Sequence, residues 1–397
     1  MAEWISKTLG ELTSFISKGI PPKYVDEENE NTIRVLNQKC NRNFEISYNE
    51  SRIHNAAVKK VPENKLLHSG DVLINSTGTG TAGRVAQIFN IPMPTTVDGH
   101  MILLRPTKEI DPLYYGYVIK SYQKKIESLA EGSTGQTEIN RQRLQDEIYI
   151  TFPKDRALQK EIGTFLFQID EKIKNNNEIN NNLEQQAQAI FANEFLSLDT
   201  LPEGWKQASL IDIADYLNGL AMQKYRPTAD ESGIPVLKIK ELRQGCCDDN
   251  SELCSPSIKS DYIIHDGDVI FSWSGSLLVD LWCGGICGLN QHLFKVTSSK
   301  YDKWFYYAWT KHHLDRFVAV AADKATTMGH IKRDELAKAE VLIPNEADYN
   351  RIGALLQPIY EMIISNRIEN KKLATTRDTL LPKLMNGEID MSEVDYE

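Results

Sequence analysis

The sequence predicts an α+β protein with two tandem domains of mixed α/β structure, each followed by a long helix, and with the two helices pairing as an antiparallel coiled coil. Three observations predict this fold: an ordered internal repeat, short β-branched runs between turns, and an apolar stripe at heptad spacing after each repeat. The 397 residues are enough for two or three domains that each bury a core. The predicted boundaries are 1–153 for the first domain, 154–200 for the central helix, 201–345 for the second domain and 346–397 for the C-terminal helix and tail.

The internal repeat opens at a tryptophan in both copies. Residues 4–24, WISKTLGELTSFISKGIPPKY, align with residues 205–225, WKQASLIDIADYLNGLAMQKY, and share tryptophan, leucine and Lys-Tyr positions at one offset. Chance explains one or two such matches but not a series that keeps its order, so the sequence predicts a tandem duplication. The later matches are 33–36 with 234–237, 67–73 with 264–270, 99–103 with 291–295, 114–115 with 306–307, 139–141 with 331–333, and the closing apolar runs 148–153 and 339–344.

Local patterns within each copy predict short strands and one helical stretch. Short β-branched runs bounded by glycine, serine and threonine are typical of strands, and a longer stretch rich in tyrosine and lysine is typical of a helix. The opening segment is also interpreted as a helix followed by a loop. The predicted strands are 71–75, 101–104, 268–272 and 292–296, and the predicted helical stretches are 113–129 and 304–320.

A heptad stripe follows each copy, with spacings of four and three residues. This 3.5-residue period is typical of helices that coil around each other; the alternative is an amphipathic helix packed on its own domain. Asn176 and Asn180 take the same stripe positions as Asn366 and Asn370, and a polar residue there fixes register when it meets a partner. Pro358 lies inside the second stripe and predicts a kink or a helix that begins as two pieces. The predicted helix-pairing seam is Ile162, Leu166, Ile169, Ile173, Asn176, Asn180, Leu183 and Ile190 with Ile352, Leu356, Ile359, Ile363, Asn366, Asn370, Leu373 and Leu380.

Composition and charge limit the function classes. The net charge of −10 disfavours a simple nucleic-acid binder, whose domain is usually basic, and suits a subunit that binds other proteins. No apolar run approaches the ~20 residues that a membrane helix needs, and the N-terminal segment lacks the apolar region of a secretory signal. Five of the six cysteines lie in the second half of the chain, which is not a disulfide framework and predicts a reducing cytoplasm.

Three features invite a cofactor, metal or catalytic interpretation, and the sequence favours a structural one for each. Gly78, Gly80 and Gly83 match G-x-G-x-x-G, but an alternating run follows instead of a helix, which predicts a hairpin turn. The cysteine spacing of the second copy is irregular and has no counterpart in the first, which disfavours zinc. His100 and His292 each begin an apolar strand, so a satisfied structural histidine is favoured over catalysis. The chain also lacks a phosphate-loop motif, a catalytic-triad signature and an Asn/Asp-Pro-Pro-aromatic methyltransferase motif.

The combination of these features resembles the DNA-specificity subunits of type I restriction–modification systems. The resemblance rests on two unlike domains that each open with Trp-x4-Leu, carry Gly-Asp-Val-Leu or Gly-Asp-Val-Ile, and close on an apolar strand ending in proline before a coiled-coil helix. It covers essentially the whole chain. It implies two target-recognition domains, 1–153 and 201–345, each reading one half of a split, asymmetric DNA site, with the helices as spacers.

The resemblance also implies partners and the absence of catalysis. Double-stranded DNA is the implied target, two methyltransferase subunits dock on the helices, and a nuclease–translocase subunit can join. The chain itself is then a non-catalytic, cytoplasmic subunit without a cofactor or a membrane contact, and S-adenosylmethionine is expected on the partner methyltransferase. Two other interpretations stay open: a coiled-coil scaffold that binds only proteins, and a divergent DNA methyltransferase or nuclease.

Four kinds of position, present in both copies, are candidates for DNA contacts. They are the loop after the opening segment, the residues after the next strand, the turn after Gly-Asp-Val and the loop before the closing strand. Base discrimination needs hydrogen-bond donors and acceptors on such loops, whereas phosphate contacts only position the protein; for each single residue, a solvated surface role is the alternative. The candidates are Lys18, Lys23, Tyr24, Gln38, Lys39, Arg42, Ser76, Thr77, Thr79, Arg84, Gln136, Asn140, Arg141 and Arg143 in the first copy, and Lys224, Tyr225, Arg226, Lys238, Lys240, Arg243, Ser274, Ser276, Lys324, His330, Lys332 and Arg333 in the second.

Overall fold

Short strands and two long helices make up most of the chain. The computed structural model describes residues 3–132, 137–323, 331 and 333–391. The chain divides into two compact units: unit 1 comprises Met1–Glu171 with Ala374–Glu397, and unit 2 comprises Lys172–Leu373. Each unit holds one globular head together with a portion of both long helices. We refer to residues 3–153 as head 1 and to residues 202–344 as head 2.

Head 1 consists of short strands and short helices, and the first long helix follows it. Its strands are β1 (Trp4–Thr8), β2 (Thr13–Lys18), β3 (Tyr24–Val25), β4 (Thr32–Leu36), β5 (Asn41–Arg42), β6 (Glu45–Ile46), β7 (Arg52–Asn55), β8 (Val72–Asn75), β9 (Val85–Gln87), β10 (Thr95–Val97), β11 (Met101–Pro106), β12 (Ala130–Glu131), β13 (Glu138–Ile139) and β14 (Tyr149–Pro153). Its helices are α1 (Pro112–Ser121), α2 (Gln123–Ser128) and α3 (Arg141–Glu147), with 3-10 turns at Gln38–Cys40 and Glu63–Lys65. The long helix α4 (Arg156–Phe191) ends in a π-helical turn, Ala192–Leu196.

Two four-stranded sheets form the body of head 1. The central sheet is antiparallel in the order β2-β11-β8-β9, with Met101 opposite Asn75 and Ile102 opposite Lys18. The second sheet has the order β10-β4-β7-β3 and pairs β10 with β4 in parallel. The first and last strands of the head, β1 and β14, pair with each other. The apolar side of this arrangement buries the tyrosines of α1, including Tyr115, which places α1 beside the central sheet.

Head 2 is built from the corresponding elements, and the second long helix follows it. Its strands are β15 (Lys206–Ser209), β16 (Asp215–Asn218), β17 (Ile234–Leu237), β18 (Leu253–Cys254), β19 (Ile263–Ile264), β20 (Val269–Ser272), β21 (Leu278–Leu281), β22 (Cys287–Leu289), β23 (Leu293–Thr297) and β24 (Glu340–Ile343). Its helices are α5 (Leu210–Ile213), α6 (Ile239–Gln244), α7 (Lys303–His312), α8 (Leu314–Asp323) and α9 (Arg333–Ala337), with 3-10 turns at Met222–Lys224 and Ser260–Tyr262. The second long helix is α10 (Glu346–Met385).

The sheets of head 2 repeat the frame of head 1. The order β16-β23-β20-β21 corresponds to β2-β11-β8-β9, the parallel pair β17 and β22 corresponds to β4 and β10, and β15 pairs with β24 as β1 does with β14. Each head also has an isolated parallel bridge at the same place, Ile20 with Asp98 in head 1 and Leu220 with Asn290 in head 2. The predicted duplication and the predicted strands are therefore confirmed.

Each predicted helical stretch proves to be two helices. In head 1, α1 ends at Ser121 and α2 begins at Gln123; in head 2, α7 ends at His312 and α8 begins at Leu314. The residue at the first break, Tyr122, has φ −91° and ψ 4°, and its N–H bonds to a carbonyl three residues back. This tighter hydrogen bond ends the α-helical ladder without a proline or glycine, so the sequence carries no signal for it.

One further expectation about helices is wrong, and one of the two alternatives offered for Pro358 is excluded. The opening segment of the first copy forms strands β1 and β2 because it pairs with β14 and β11, and head 2 has only the four-residue α5 there. Helix α10 is one 40-residue helix through Pro358, so it does not begin as two pieces. The proline is exposed, and the buried Ile352, Leu356 and Ile363 on both sides of it hold the helix against its neighbours. The helix stops where Gly387 takes a positive φ of 74°.

The predicted pairing of the two long helices is confirmed by contacts inside each unit. In unit 2, Asn176 Nδ2 donates to Asn370 Oδ1 at 2.8 Å and Asn366 Nδ2 donates to Asn180 Oδ1 at 2.9 Å. As the residue number rises from 176 to 180 in α4, the number of its partner falls from 370 to 366 in α10, so these portions of the helices are antiparallel. In unit 1, Leu166 of α4 shares a buried core with residues of α10 near its C-terminal end. The alternative, in which each helix packs only on its own domain, is therefore wrong.

The described residues offer no sign of a metal cluster or a membrane span. Over 3–132, 137–323, 331 and 333–391, no group of three or more His, Cys, Asp and Glu side chains is arranged to hold a metal ion. In the same part of the chain, helices long enough to cross a bilayer are not apolar enough to do so. All six cysteines are free thiols.

Candidate nucleic-acid interface

Four segments of head 1 meet at one edge of its central sheet, where strand β8 ends. Asn41 Nδ2 donates to Asn75 Oδ1 at 3.2 Å and to the Arg84 carbonyl at 2.9 Å. Asn75 Nδ2 in turn donates to the Gln38 carbonyl at 3.1 Å. These bonds tie the loop after β4 to the turn after β8. Two of the predicted clusters therefore lie side by side.

The loop before α3 and the end of β2 join the same edge. The Ile139 N–H donates to the Ser76 carbonyl at 2.8 Å, and Lys18 forms an ion pair with Glu138. Asn140 is the N-cap of α3, and its side-chain oxygen accepts two backbone N–H groups of the first turn. Its neighbour Arg141 is therefore held at the start of a helix beside the turn after β8.

Exposure separates the candidates of head 1. Ser76 is 0% exposed and its hydroxyl has no partner among the described residues, so it cannot touch a duplex in this conformation. Lys23 and Tyr24 bond to β7 in the second sheet instead of to the converging segments. The exposed candidates are Lys23, Lys39, Arg42, Thr79, Asn140 and Arg141; the half-buried ones are Lys18, Tyr24, Gln38, Thr77, Arg84 and Arg143; Gln136 lies outside the described residues.

Glutamates partly neutralise the cations of head 1. Lys18 pairs with Glu138, and burial, helped by the charge of Arg141, lowers the pKa of the Lys18 ammonium. Arg143 donates to Glu147 at 2.6 Å, and this hydrogen bond lowers the pKa of that carboxyl. The interface of head 1 therefore combines positive charge with carboxylates, instead of forming a uniformly basic patch.

Head 2 brings the corresponding segments together. The Ile331 N–H donates to the Trp273 carbonyl at 3.0 Å, which repeats the bond between the closing loop and the turn in head 1. The indole Nε1 of Trp273 donates to Asn218 Oδ1 at 3.0 Å, at the end of β16. Arg243 of α6 bonds to the Ser276 hydroxyl in the turn after β20. The same four regions therefore converge in both heads.

A groove of about 450 Å³ opens on this side of head 2. Glu252 is the one acidic residue in its lining, and it bonds to Lys238 at 2.5 Å and pairs with Arg226 at 3.2 Å. The hydrogen bond from Lys238 lowers the pKa of Glu252, which stays charged. Cations and amides dominate the rest of the lining, which consists of Gln223, Arg226, Lys238, Ile239, Lys240, Glu252, Asn290, Gln291 and His292.

The remaining candidates of head 2 divide by exposure as well. Ser274 is 2% exposed, so its side chain is withdrawn from the surface. Arg333 donates to the Tyr216 carbonyl at 3.1 Å, which holds its guanidinium beside β16. The exposed candidates are Lys224, Tyr225, Arg226, Lys240, Arg243 and Arg333; Lys238 and Ser276 are half-buried; Lys324, His330 and Lys332 lie outside the described residues.

Two histidines lie among these segments, although the sequence favoured a satisfied structural role for them. His100 is exposed, and its Nδ1 lies 2.9 Å from Thr77 Oγ1. His292 lines the groove, and its Nε2 lies 3.4 Å from Gln291 Nε2. Its Nδ1 is buried without a partner among the described residues, so the expectation of a satisfied histidine holds for only one of the two ring nitrogens. In both heads the histidine N–H bonds to the side chain two residues earlier, at Asp98 and at Asn290. The sequence already contained a signal for this turn, because the two histidines align between the copies.

The glycine-rich segment forms a turn between two strands. It connects β8 to β9, which pair antiparallel, and the expected hairpin is confirmed. Gly78, Gly80 and Gly83 all have positive φ values, 107°, 69° and 91°, which favour glycine. A strand follows, so the helix N-terminus that a pyrophosphate needs is missing at this point.

The arrangement suits recognition of a nucleic acid, which carries charged phosphates and base edges with specific hydrogen-bond donors and acceptors. Each head presents cations beside amide, hydroxyl and imidazole groups on loops held by backbone hydrogen bonds. Cations of this kind contact phosphates, while amides and guanidinium groups pair with base edges.

Comparisons with known proteins point in the same direction. A family model described as "Type I restriction modification DNA specificity domain" matches residues 1–185 and 202–374. The MjaIX type I restriction enzyme specificity subunit of Methanocaldococcus jannaschii is 26% identical over 99% of this chain and 95% of its own length. The HindI specificity subunit of Haemophilus influenzae is 20% identical over 98% of this chain and 100% of its own length.

A solved structure shares the fold. The crystal structure of the S subunit of a type I restriction–modification system from M. genitalium superimposes with a TM-score of 0.60 and 15% sequence identity. The match covers 96% of each chain. The similarity therefore extends over both heads and both long helices.

Proposed function

The chain belongs to the type I restriction–modification DNA specificity family, and from this membership we propose that it reads a split, asymmetric DNA site with one head for each half. DNA recognition is the function of the family, while the division of labour between the heads is our proposal. The chain serves as the specificity subunit and leaves the chemistry to its partners.

One observation carries the proposal: the same four segments converge in both heads, while the side chains that they present differ. Head 1 presents Thr79, Asn140 and Arg141 around a glycine-rich turn. Head 2 presents Trp273 and a groove lined by lysine and glutamine side chains. A shared frame with unlike donors and acceptors is what two different base sequences require.

We further propose that the long helices act as spacers and as docking surfaces for two methyltransferase subunits, which carry S-adenosylmethionine. Large apolar side chains are exposed on both helices of unit 2: Ile179 on α4, and Leu355 and Met362 on α10. Exposed apolar groups on otherwise polar helices support a protein contact there. A restriction–translocase subunit can join the complex, which we place in the cytoplasm.

Methylome sequencing of cells with and without this chain tests the proposal. We expect one bipartite methylated sequence that disappears with the gene, because the chain selects the target of its partner. Exchange of residues 205–344 for those of a relative should change one half of this sequence and leave the other half and the spacing intact. Insertion of a heptad into α4 should change the spacing alone.

Other outcomes favour the other interpretations. A purified chain that binds S-adenosylmethionine or cleaves DNA unaided would make it a divergent methyltransferase or nuclease. A complex with methyltransferase subunits that prefers no duplex sequence would make it a scaffold. A head exchange that alters both halves of the target would contradict the proposed division between the heads.

A further inference from the structure

One guanidinium connects three elements of unit 2. Arg367 lies on α10, and its Nη1 donates to Asp280 Oδ1 at 2.8 Å and to the Leu281 carbonyl at 3.1 Å, both on strand β21 of head 2. Its Nη2 donates to Glu184 Oε1 on α4 at 2.9 Å. A single side chain therefore bonds the head, the helix that follows it and the helix that pairs with that helix.

The geometry of this contact favours arginine over lysine. Burial opposes the charge of Arg367, but Asp280 and Glu184 outweigh it and raise the pKa of the guanidinium. The planar group has donors on two sides and can bond two carboxylates at once, whereas a lysine ammonium is a point donor on a flexible stem. Lys311 of α7 also approaches Glu184, at 3.4 Å, so the carboxylate on α4 receives a second bond from the head.

Unit 1 has the same three-way connection with the opposite charge at its centre. Asp170 of α4 accepts a hydrogen bond from the Tyr117 hydroxyl of head 1 at 2.6 Å and from Arg377 of α10 at 2.5 Å. Lys120 of head 1 lies 3.8 Å from the same carboxylate. Asp170 therefore joins head 1 to both helices, as Arg367 does in unit 2.

The contacts of Arg367 are connected to the candidate nucleic-acid interface of head 2 through strands β21 and β20. Asp280 pairs with Ile270 across β20 and β21, and β20 leads directly into the turn that contains Trp273. A change in how β21 sits on the helices is therefore carried along a hydrogen-bonded strand pair to the interface. Neither Arg367 nor Asp170 belongs to the segments that converge at the interface.

We propose that Arg367 and Asp170 are positioning residues that fix the angle of each head on the helix pair and thereby set which separation of the two half-sites is accepted. The inference rests on the proposed function, because it presupposes a split site. It adds that the selection of spacing depends on the junction between head and helices as well as on the length of the helices.

The test uses the full chain in complex with its methyltransferase subunits. Duplexes carry both half-sites, as found by methylome sequencing, with the native spacer or with one base pair added or removed. For Arg367→Met and for Asp170→Asn we expect the preference for the native spacer to fall by about fivefold, with the penalty for a mismatch inside either half-site unchanged. Arg367→Lys keeps the positive charge but loses the paired donors of the guanidinium. It should therefore show a smaller fall in the preference for the native spacer.

Arg351→Met is the matched control. Arg351 also lies on α10 and also bonds two carboxylates, Glu194 at 2.7 Å and Asp348 at 3.3 Å, but neither belongs to a strand of head 2. The inference is overturned if Arg367→Met and Arg367→Lys keep the wild-type spacer preference, if affinity falls equally for all three spacers, or if Arg351→Met has the same effect. A wild-type complex that prefers no duplex contradicts the proposed function as well, which separates the two failures.

Discussion

The two units share one backbone frame and carry different side chains on it. In both heads a four-stranded antiparallel sheet ends in a turn whose carbonyl accepts the N–H of an isoleucine, Ile139 to Ser76 in head 1 and Ile331 to Trp273 in head 2. The residue at this turn is a buried serine in one head and a half-buried tryptophan in the other. Because the same backbone hydrogen bond is present in both heads, we infer that backbone bonds maintain the shape of this edge while its side chains differ.

The junctions between heads and helices differ in the same manner. A carboxylate, Asp170, is the centre of the contact in unit 1, and a guanidinium, Arg367, is the centre in unit 2. The C-terminal caps of the corresponding helices α1 and α7 also differ: Tyr122 caps α1 and His313 caps α7. The two units should therefore respond differently to substitution and to pH, even though their backbones correspond.

The largest expected difference concerns the two buried cores. Leu166 and Leu356 take the same stripe position, are both 0% exposed, and belong to the cores of unit 1 and unit 2 respectively. Truncation of either to alanine leaves a cavity and should cost about 2–5 kcal/mol in local stability. Hydrogen–deuterium exchange should then accelerate in head 1 for Leu166→Ala and in head 2 for Leu356→Ala.

Leu355→Ala is the control for this pair, because Leu355 is exposed beside Leu356 on the same helix. It should change stability by less than about 0.5 kcal/mol. Equal acceleration of exchange in both heads by either core variant would contradict this expectation, since each leucine belongs to the core of one unit.

The seam could be predicted from the sequence because its signal is local. A 3.5-residue period and two asparagines at matching positions are visible within one helix, and the structure pairs Asn176 with Asn370 and Asn180 with Asn366. The strands that follow Gly-Asp-Val were equally visible, because β-branched runs between turns need no knowledge of the partner strand.

The charge partners could not be predicted, because they come from distant parts of the chain. Lys18 meets Glu138, 120 residues away, and Arg367 meets Asp280, 87 residues away. Composition showed an acidic chain, but only the fold shows which carboxylates neutralise the candidate DNA-binding cations. The break after α1 was also invisible, since Tyr122 ends the helix through a hydrogen bond and not through a breaker residue.

Unit 2 should lose stability at acid pH through a buried histidine of head 2, His313. Burial lowers the pKa of His313 to about 4, from about 6.5 in an unfolded chain. Because the unfolded state binds more protons between these values, stability is full above pH 6.5 and falls as the pH drops towards 4, by up to about 3 kcal/mol. Five of the six tryptophans lie in unit 2, so tryptophan fluorescence during denaturant unfolding measures the loss in that unit.

His313→Gln should remove this dependence, because a glutamine keeps a donor for the Glu340 carbonyl, which lies 2.8 Å from His313 Nε2, and does not titrate. The exposed His265→Gln in the same head serves as the control and should leave the acid slope in place. An acid slope that survives in His313→Gln would show that another group of unit 2 is responsible.

The third prediction concerns alkaline pH and unit 1. Burial lowers the pKa of Lys120 to about 8, and the charge of Asp170 only partly opposes this. The unfolded state therefore binds more protons between about pH 8 and about 10.5, so the charged lysine costs stability below pH 8 and the cost disappears towards pH 10.5. Lys120→Met should stabilise unit 1 by about 2 kcal/mol at pH 7, as measured by hydrogen exchange, with a smaller gain at pH 10.

The matched variant is Lys311→Met at the corresponding place in head 2. Lys311 pairs with Glu184 at 3.4 Å, so its removal should give no comparable gain. If both variants stabilise their units equally at pH 7, the ammonium groups do not distinguish the two junctions.

The smallest expected effect concerns the amides of the seam in unit 2. Asn366→Ala leaves the buried Oδ1 of Asn180 without its 2.9 Å donor and should cost about 1–2 kcal/mol in denaturant unfolding. A double-mutant cycle with Asn180→Ala should return a coupling of about 1 kcal/mol, since each amide has lost its partner already in the single variant.

Replacement of both Asn180 and Asn366 by leucine should instead match or exceed the wild-type stability, because an apolar pair needs no hydrogen bond. A leucine pair less stable than either alanine variant would show that the asparagines contribute to stability through packing and not through their mutual hydrogen bond. Apolar contacts like those of Leu166 in unit 1 would then not be able to replace the asparagine pairs that join the two helices in unit 2.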